Sequence, residues 1–147
     1  SLMSPTSRGT ISMLDGEVSV SMNMLSTQAD IDGMRESVRE LVRICNSPSV
    51  QRSTRSIVVD DRGARLQDLE GLGELELDQW IRGHLSFVSH ASSSCSSAID
   101  ADGGLRGFTN VTIADASGLP TVPSETPAAS VTIEATRIGR SLGGKLA

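Results

Sequence analysis

Two segments near the end of the chain carry the side chains best suited to chemistry. The first is His90-Ala91-Ser92-Ser93-Ser94-Cys95; the second runs from Asn110 to Pro127 and contains Asp115-Ala116-Ser117-Gly118-Leu119-Pro120, then Pro123-Ser124-Glu125-Thr126-Pro127. A neutral imidazole such as His90 is suited to taking the proton of a substrate hydroxyl, because its ordinary pKa lies close to neutrality. A helix opening after Pro127 presents unpaired N–H groups and the positive end of its dipole, and so stabilises negative charge in front of it. Each feature also has a purely structural reading. His90 suits a half-buried histidine at a strand end, bonded to backbone. Thr126 suits an N-cap and Pro127 a first helical residue, which explains that dipeptide without any chemistry. The Thr126 hydroxyl can bond a substrate oxygen, but it is no base near neutral pH.

Taken together, in this order and at this separation, the two segments resemble the C-terminal signature of the glucose/methanol/choline (GMC) flavin oxidoreductases. Ser7-Arg8-Gly9-Thr10-Ile11 is similar to that family's Ser-Arg-Gly entry into its substrate-domain sheet. The resemblance implies that His90 is the catalytic base, with Cys95 five residues on. It implies that Asp115, Ala116, Thr126 and Pro127 lie against FAD, with Thr126 also beside the substrate. It departs from the family at Thr126, where Asn or His is usual, so a mechanism with two histidines is excluded. Ser93 and Ser94 likewise stand where Gly and Thr are usual.

What the resemblance implies about architecture is an α+β fold: an antiparallel sheet with packed helices over residues 1–104 as a substrate-binding domain, and a strand-helix over 105–147 that completes the FAD-binding domain of a partner chain. The expected function is oxidation of a small-molecule alcohol to a carbonyl with FAD, inside a two-chain assembly. A non-redox flavin-containing lyase and a non-catalytic binding subunit are the alternatives. The expected partner is a second polypeptide carrying the glycine-rich dinucleotide fold. Gly71-Leu72-Gly73 is the nearest approach to that fold here; it lacks a third glycine and does not follow a buried strand, so it reads as a loop.

Composition narrows the field further. With 147 residues the chain can bury a core. Its aromatics are Phe87, Phe108 and Trp80, and its net charge is -5, which together exclude a base-stacking, phosphate-tracking nucleic-acid surface. Arg35, Arg39 and Arg43 recur at helical spacing, but Glu36 and Glu40 lie among them, so a solvated, salt-bridged face is expected. Cys45 and Cys95 show no metal or CxxC spacing, and reduced thiols in a cytoplasmic protein are the expectation, with secretion left open. No metal site is expected: Asp100-Ala101-Asp102-Gly103 begins like a calcium loop but has Val111 at its twelfth position. The Ser cluster beside His90 has no Gly-x-Ser-x-Gly elbow of a hydrolase. No apolar run is long enough to span a bilayer.

The elements that must position these residues are legible as periodicities. Residues 8–14 and 17–22 alternate about Asp15-Gly16, which predicts a hairpin. Ser26 or Thr27 caps a helix to about Asn46, with Ile31, Met34, Val38, Leu41, Val42 and Cys45 inward. A short strand is expected at 56–59 with a turn at 60–63, and a second helix over 74–85 with Leu77, Trp80, Ile81 and Leu85 inward; His84 within it is read as structural. Strands are expected at 86–90 and 111–113. A last helix from Pro127 buries Val131, Ala135, Ile138 and Leu142 and ends at Gly143-Gly144.

Overall fold

A computed structural model describes residues 2–54, 56–59 and 62–146. They form β1 (Thr10–Leu14), β2 (Glu17–Ser21), α1 (Gln28–Cys45), α2 (Pro48–Gln51), α3 (Glu74–Gly83) and α4 (Ala128–Leu146), with short 3-10 turns at Leu66–Leu69 and Ala116–Gly118. The mix of a small antiparallel sheet with helices is that of an α+β protein. The chain divides into two compact units, one of residues 1–2, 6–8 and 23–86, the other of residues 3–5, 9–22 and 87–147.

The first unit is built on α1 and α3. The apolar stripe of α1 packs as its spacing requires: Ile31, Met34 and Val38 meet Leu25, Leu77 and Ile81, while Val42 joins Leu66 and Leu69. Leu41 is the exception. It stays 49 % exposed, because the inward arc is already filled by Val38, Val42 and Cys45. Arg35 also departs from the expected solvated face, since its guanidinium grips Asp78 of α3 through Nε (2.5 Å) and Nη2 (2.6 Å). The pair is mostly buried, so this fork ties two helices together, and each partner's charged form is favoured by the other. Arg43 does behave as expected, bonding Glu40 one turn back.

The N-terminus of α1 is held by an unexpected partner. Asp30, 2 % exposed, accepts from the Thr6 N–H (2.7 Å), the Thr6 hydroxyl (2.8 Å) and the Ser7 N–H (2.8 Å). In return, the Ser7 hydroxyl oxygen accepts from the Ser26 and Thr27 N–H groups. Thr6 and the Ser7 of the motif are therefore a clamp on a helix start, and Thr27 is its N-cap.

In the second unit, β1 and β2 pair in the expected register, Ile11 opposite Val20 and Met13 opposite Val18. Asp15 (φ +51°) and Gly16 (φ +83°) both take the left-handed conformation that a two-residue hairpin turn demands. Gly9 is required for a steric reason: a Cβ there would collide with the Ser21 carbonyl. The remaining expected strands do not form. Val58 makes one isolated bridge, to Arg65; Thr112 makes one, to Gly104; residues 86–90 make none, and Phe87 and Val88 are exposed. Alternation alone does not make a strand where no second strand lies alongside to complete the ladder. Residues 60 and 61 of the expected turn lie outside the described residues, while Gly63 has φ +83°. The second expected helix stops at Gly83, and His84 is its C-cap. The helix α4 runs on through Gly143-Gly144 to Leu146; Ile138 is fully buried on it, whereas Leu142 is 37 % exposed.

Burial by itself raises the Asp30 pKa, but the donors from Ser7 and Thr6 outweigh it and hold the carboxyl below the usual range. The unfolded chain then takes up this proton first as pH falls. The stability it lends is complete above the ordinary aspartate value near 4 and is lost progressively below it. Asp30→Ala should destabilise the fold by about 2–4 kcal/mol at pH 7, with Asp30→Asn roughly half as harmful. Urea unfolding followed by Trp80 fluorescence measures both, and the gap to wild type should shrink at pH 3; a constant gap would refute the assignment.

Candidate functional site

The second unit brings the two chemical segments together through backbone. The Ser93 N–H donates to the Ala116 carbonyl (2.9 Å) and the Cys95 N–H to the Ser117 carbonyl (2.8 Å). The stretch after His90 is thereby stitched to the Asp115-Ala116-Ser117 turn. Below the stitch, Gly118 is buried with Ile99 and Ile113 close to where its Cβ would be. Leu119 and Ile99 are buried beside it in sequence and fold. The loop from Ile99 to Ile113 closes through bonds from Asp100 N–H to Gly104, Leu105 N–H to Val111 and Ile113 N–H to Gly103. Gly103 (φ +80°) admits no side chain, because a Cβ would meet the Ile113 carbonyl at 2.7 Å and Ile138 at 2.8 Å.

His90 is exposed and its ring makes no hydrogen bond among the described residues. The structural reading, a half-buried histidine bonded to backbone, is not what is found here. His84, also exposed, is the histidine bonded to backbone: its Nδ1 lies 2.8 Å from the Trp80 carbonyl and its ring stacks on the Trp80 indole at 4.4 Å. Instead of ending a strand, His90 sits between two serines in the left-handed conformation, Ser89 (φ +59°) and Ser93 (φ +66°). This gives a physical reason for glycine at the position of Ser93 in proteins of this pattern.

Asp115 and Ala116 open the 3-10 turn. The Asp115 carboxylate accepts from the Ser117 N–H (2.8 Å) and hydroxyl (2.6 Å), and these bonds lower its pKa. Its side chain is thus committed to its own turn, and what this dipeptide can offer a ligand is backbone. The Ala116 carbonyl is taken by Ser93 and Leu119. The Ala116 N–H has no partner among the described residues.

Thr126 and Pro127 precede α4, shifted by one residue from the expected capping arrangement. The first intrahelical bond runs from the Val131 N–H to the Pro127 carbonyl at 2.8 Å, so Pro127 stands at the cap and Thr126 before it. The Thr126 hydroxyl makes no bond among the described residues, and the N–H groups of Ala128, Ala129 and Ser130 have no cap. Two shallow concavities mark the surface, one along Thr132, Ile133, Thr136, Arg137 and Arg140, the other along Val38, Val42, Asn46 and Leu69. Neither includes His90, Asp115, Ala116, Thr126 or Pro127.

The glycine pair at Gly71 and Gly73 leads into α3, and the Glu76 carboxylate accepts the Gly73 N–H at 3.0 Å. This bond is the carboxylate half of a capping box at the helix start. Among the described residues no group of His, Cys, Asp and Glu could hold a metal ion, and both cysteines are free thiols. No described helix is long and apolar enough to cross a membrane.

Residues 5–135 match the family model described as GMC oxidoreductase, its C-terminal part. The chain is also 26 % identical over 133 residues to the oxygen-dependent choline dehydrogenase of Vibrio vulnificus (strain YJ016), an alignment covering 82 % of this chain and 22 % of that protein. It therefore spans about a fifth of that relative's length. The chain belongs to the GMC oxidoreductase family.

The left-handed Ser93 costs about 1–2 kcal/mol, and its buried hydroxyl has no partner. Ser93→Gly removes both penalties while adding flexibility to the unfolded chain. A net gain of about 1 kcal/mol in thermal unfolding is expected, with slower amide exchange over residues 93–98. An unchanged or lowered midpoint would show that the strain is not stored there.

Proposed function

We propose that this GMC family member carries the proton-handling part of an FAD-dependent enzyme that oxidises an alcohol to a carbonyl. The observation that carries the reading is the combination of an exposed, uncommitted His90 imidazole with the backbone stitch that ties its loop to the Asp115-Ala116 turn. In this reading His90 removes the hydroxyl proton. The Thr126 hydroxyl bonds the substrate oxygen. The uncapped N–H groups at the start of α4, with the helix dipole behind them, stabilise negative charge.

The donor set fits one part of a flavin. The Ala116 N–H and the N–H groups of residues 128–130 suit the acceptor-rich edge of its ring, and Gly71-Leu72-Gly73 lacks the third glycine of a pyrophosphate-binding turn. When bound, FAD supplies the acceptor for the two electrons that leave the alcohol carbon. The dinucleotide fold is supplied by polypeptide outside these 147 residues, here proposed to be a second chain. The relative's name makes choline the first alcohol to test.

His90→Ala in the FAD-loaded assembly should lower kcat by a factor of about 100 or more and remove the acidic limb of the pH profile, the loss of rate as the base takes up a proton. Anaerobic bleaching of the flavin absorbance by choline reads the reductive half-reaction directly. Undiminished bleaching rates in the variant would sink His90 as the base.

A further inference from the structure

His90 has few bonds to hold it in place. Among the described residues no hydrogen bond involves residues 87–92, and the Ser92 hydroxyl is buried without a partner. The first anchored residue after the imidazole is Ser93, whose backbone is gripped on both sides. Its N–H donates to the Ala116 carbonyl (2.9 Å), and its carbonyl accepts from the Ser96 hydroxyl (2.8 Å) and N–H (3.3 Å). Cys95 adds the second bond of the stitch, to the Ser117 carbonyl. By hydrogen bonding, His90 is thus placed from its C-terminal side, through the turn that Ser93 and Cys95 are bonded to. Within that turn one residue does most of the bonding. Ser117 donates twice to a single oxygen of the Asp115 carboxylate, from its N–H (2.8 Å) and its hydroxyl (2.6 Å), while its carbonyl receives the Cys95 N–H. The hydroxyl bond is charge-assisted, and it is the foremost cause that keeps the Asp115 carboxyl below the usual range. A carboxylate that accepts from the N–H two residues on fixes the backbone between them. Here that backbone includes the Ala116 carbonyl, the acceptor for Ser93.

We infer that Ser117 is the positioning residue for His90: by locking the Asp115 carboxylate, its hydroxyl fixes the turn whose carbonyls, those of Ala116 and Ser117, anchor the histidine's loop. That this imidazole is the base rests on the proposed function; that Ser117 holds it does not. The consequence for catalysis follows from geometry. A general base works only within hydrogen-bond reach of the proton it takes, and a loosened loop spreads the imidazole over positions out of that reach. The loss then falls on the chemical step and not on substrate binding, so kcat drops while KM holds. Two other roles for the hydroxyl make different demands. If it only completed its own turn, its removal would loosen residues 116–118 and leave Ser93 and Cys95 as protected as before. If it supported the whole unit, the loop from Ile99 to Ile113 would loosen to the same degree.

Amide exchange and carboxyl titration by NMR on the full 147-residue chain test the anchoring directly. In Ser117→Ala the Ser93 and Cys95 amides should exchange about tenfold faster, while the Leu105 and Ile113 amides of the same unit keep their protection. The Asp115 carboxyl should titrate at higher pH in that variant. Ser117→Thr, which keeps the hydroxyl, should restore both readouts. In the FAD-loaded assembly with choline, Ser117→Ala should lower kcat about tenfold with KM held within about twofold, and it should add nothing to the loss caused by His90→Ala. Unchanged exchange at Ser93 and Cys95 overturns the inference, as does faster exchange spread equally over Leu105 and Ile113. So does a loss fully additive with that of His90→Ala, which would place the hydroxyl's effect on the flavin side alone, or a Ser117→Thr variant no better than Ser117→Ala. Flavin bleached at the wild-type rate by His90→Ala would defeat the proposed function, with the exchange pattern still deciding what anchors the loop. An essential His90 whose stitch ignores Ser117 would do the reverse.

Discussion

Two backbone hydrogen bonds, Ser93 N–H to Ala116 and Cys95 N–H to Ser117, are the constraint on which the proposed site depends. They join segments more than twenty residues apart without using any side chain, so they leave the imidazole, the threonine hydroxyl and the uncapped helix start free for other work. The buried aliphatic residues of the same unit are Ile99, Leu119 and Ile138. Two close approaches beside them admit only glycine or nearly so: Gly103 under Ile113 and Ile138, and Gly118 against Ile99. Packing at that density leaves no slack for a Cβ.

Polar groups carry structure in both units: Asp30 is saturated by Thr6 and Ser7, Arg35 grips Asp78, Glu76 accepts the Gly73 N–H, and Asp115 accepts from Ser117. The buried Trp80 indole N–H of the first unit has no partner among the described residues, and around His90 several groups are likewise unmatched. The Ser92 and Ser93 hydroxyls are buried without partners, the Ala116 N–H is unpaired, and Ser89 and Ser93 hold left-handed backbone conformations. Unmet hydrogen bonds and strained dihedrals persist only where surrounding structure over-determines them, and they concentrate where proteins bind and react.

Much of this was legible beforehand, for reasons that differ by element. The hairpin was readable because Asp15-Gly16 encodes its own turn and the flanking residues encode their own faces. The helix α1 was readable because its stripe recurs over five turns and Thr27 caps it. The clamp on Asp30 was not, although Thr27 three residues ahead marks a capping pattern, because the donors that reach the carboxylate come from more than twenty residues away. The strand at 86–90 was misread because alternation describes a side-chain pattern, and a strand exists only if another backbone is there to pair with it.

Sequence alone therefore determined what is local: residue types with the right pKa and donor character, turn glycines, helix periodicity, and the paired segments around His90 and Asp115 that carry the family likeness. Only the tertiary structure decided that His90 is uncommitted while His84 is not, that Arg35 bridges two helices rather than facing water, and that the two chemical segments meet through backbone. Those outcomes depend on which distant groups compete for each donor and acceptor. Such competition is settled by the three-dimensional packing of the chain and leaves no period or spacing to read.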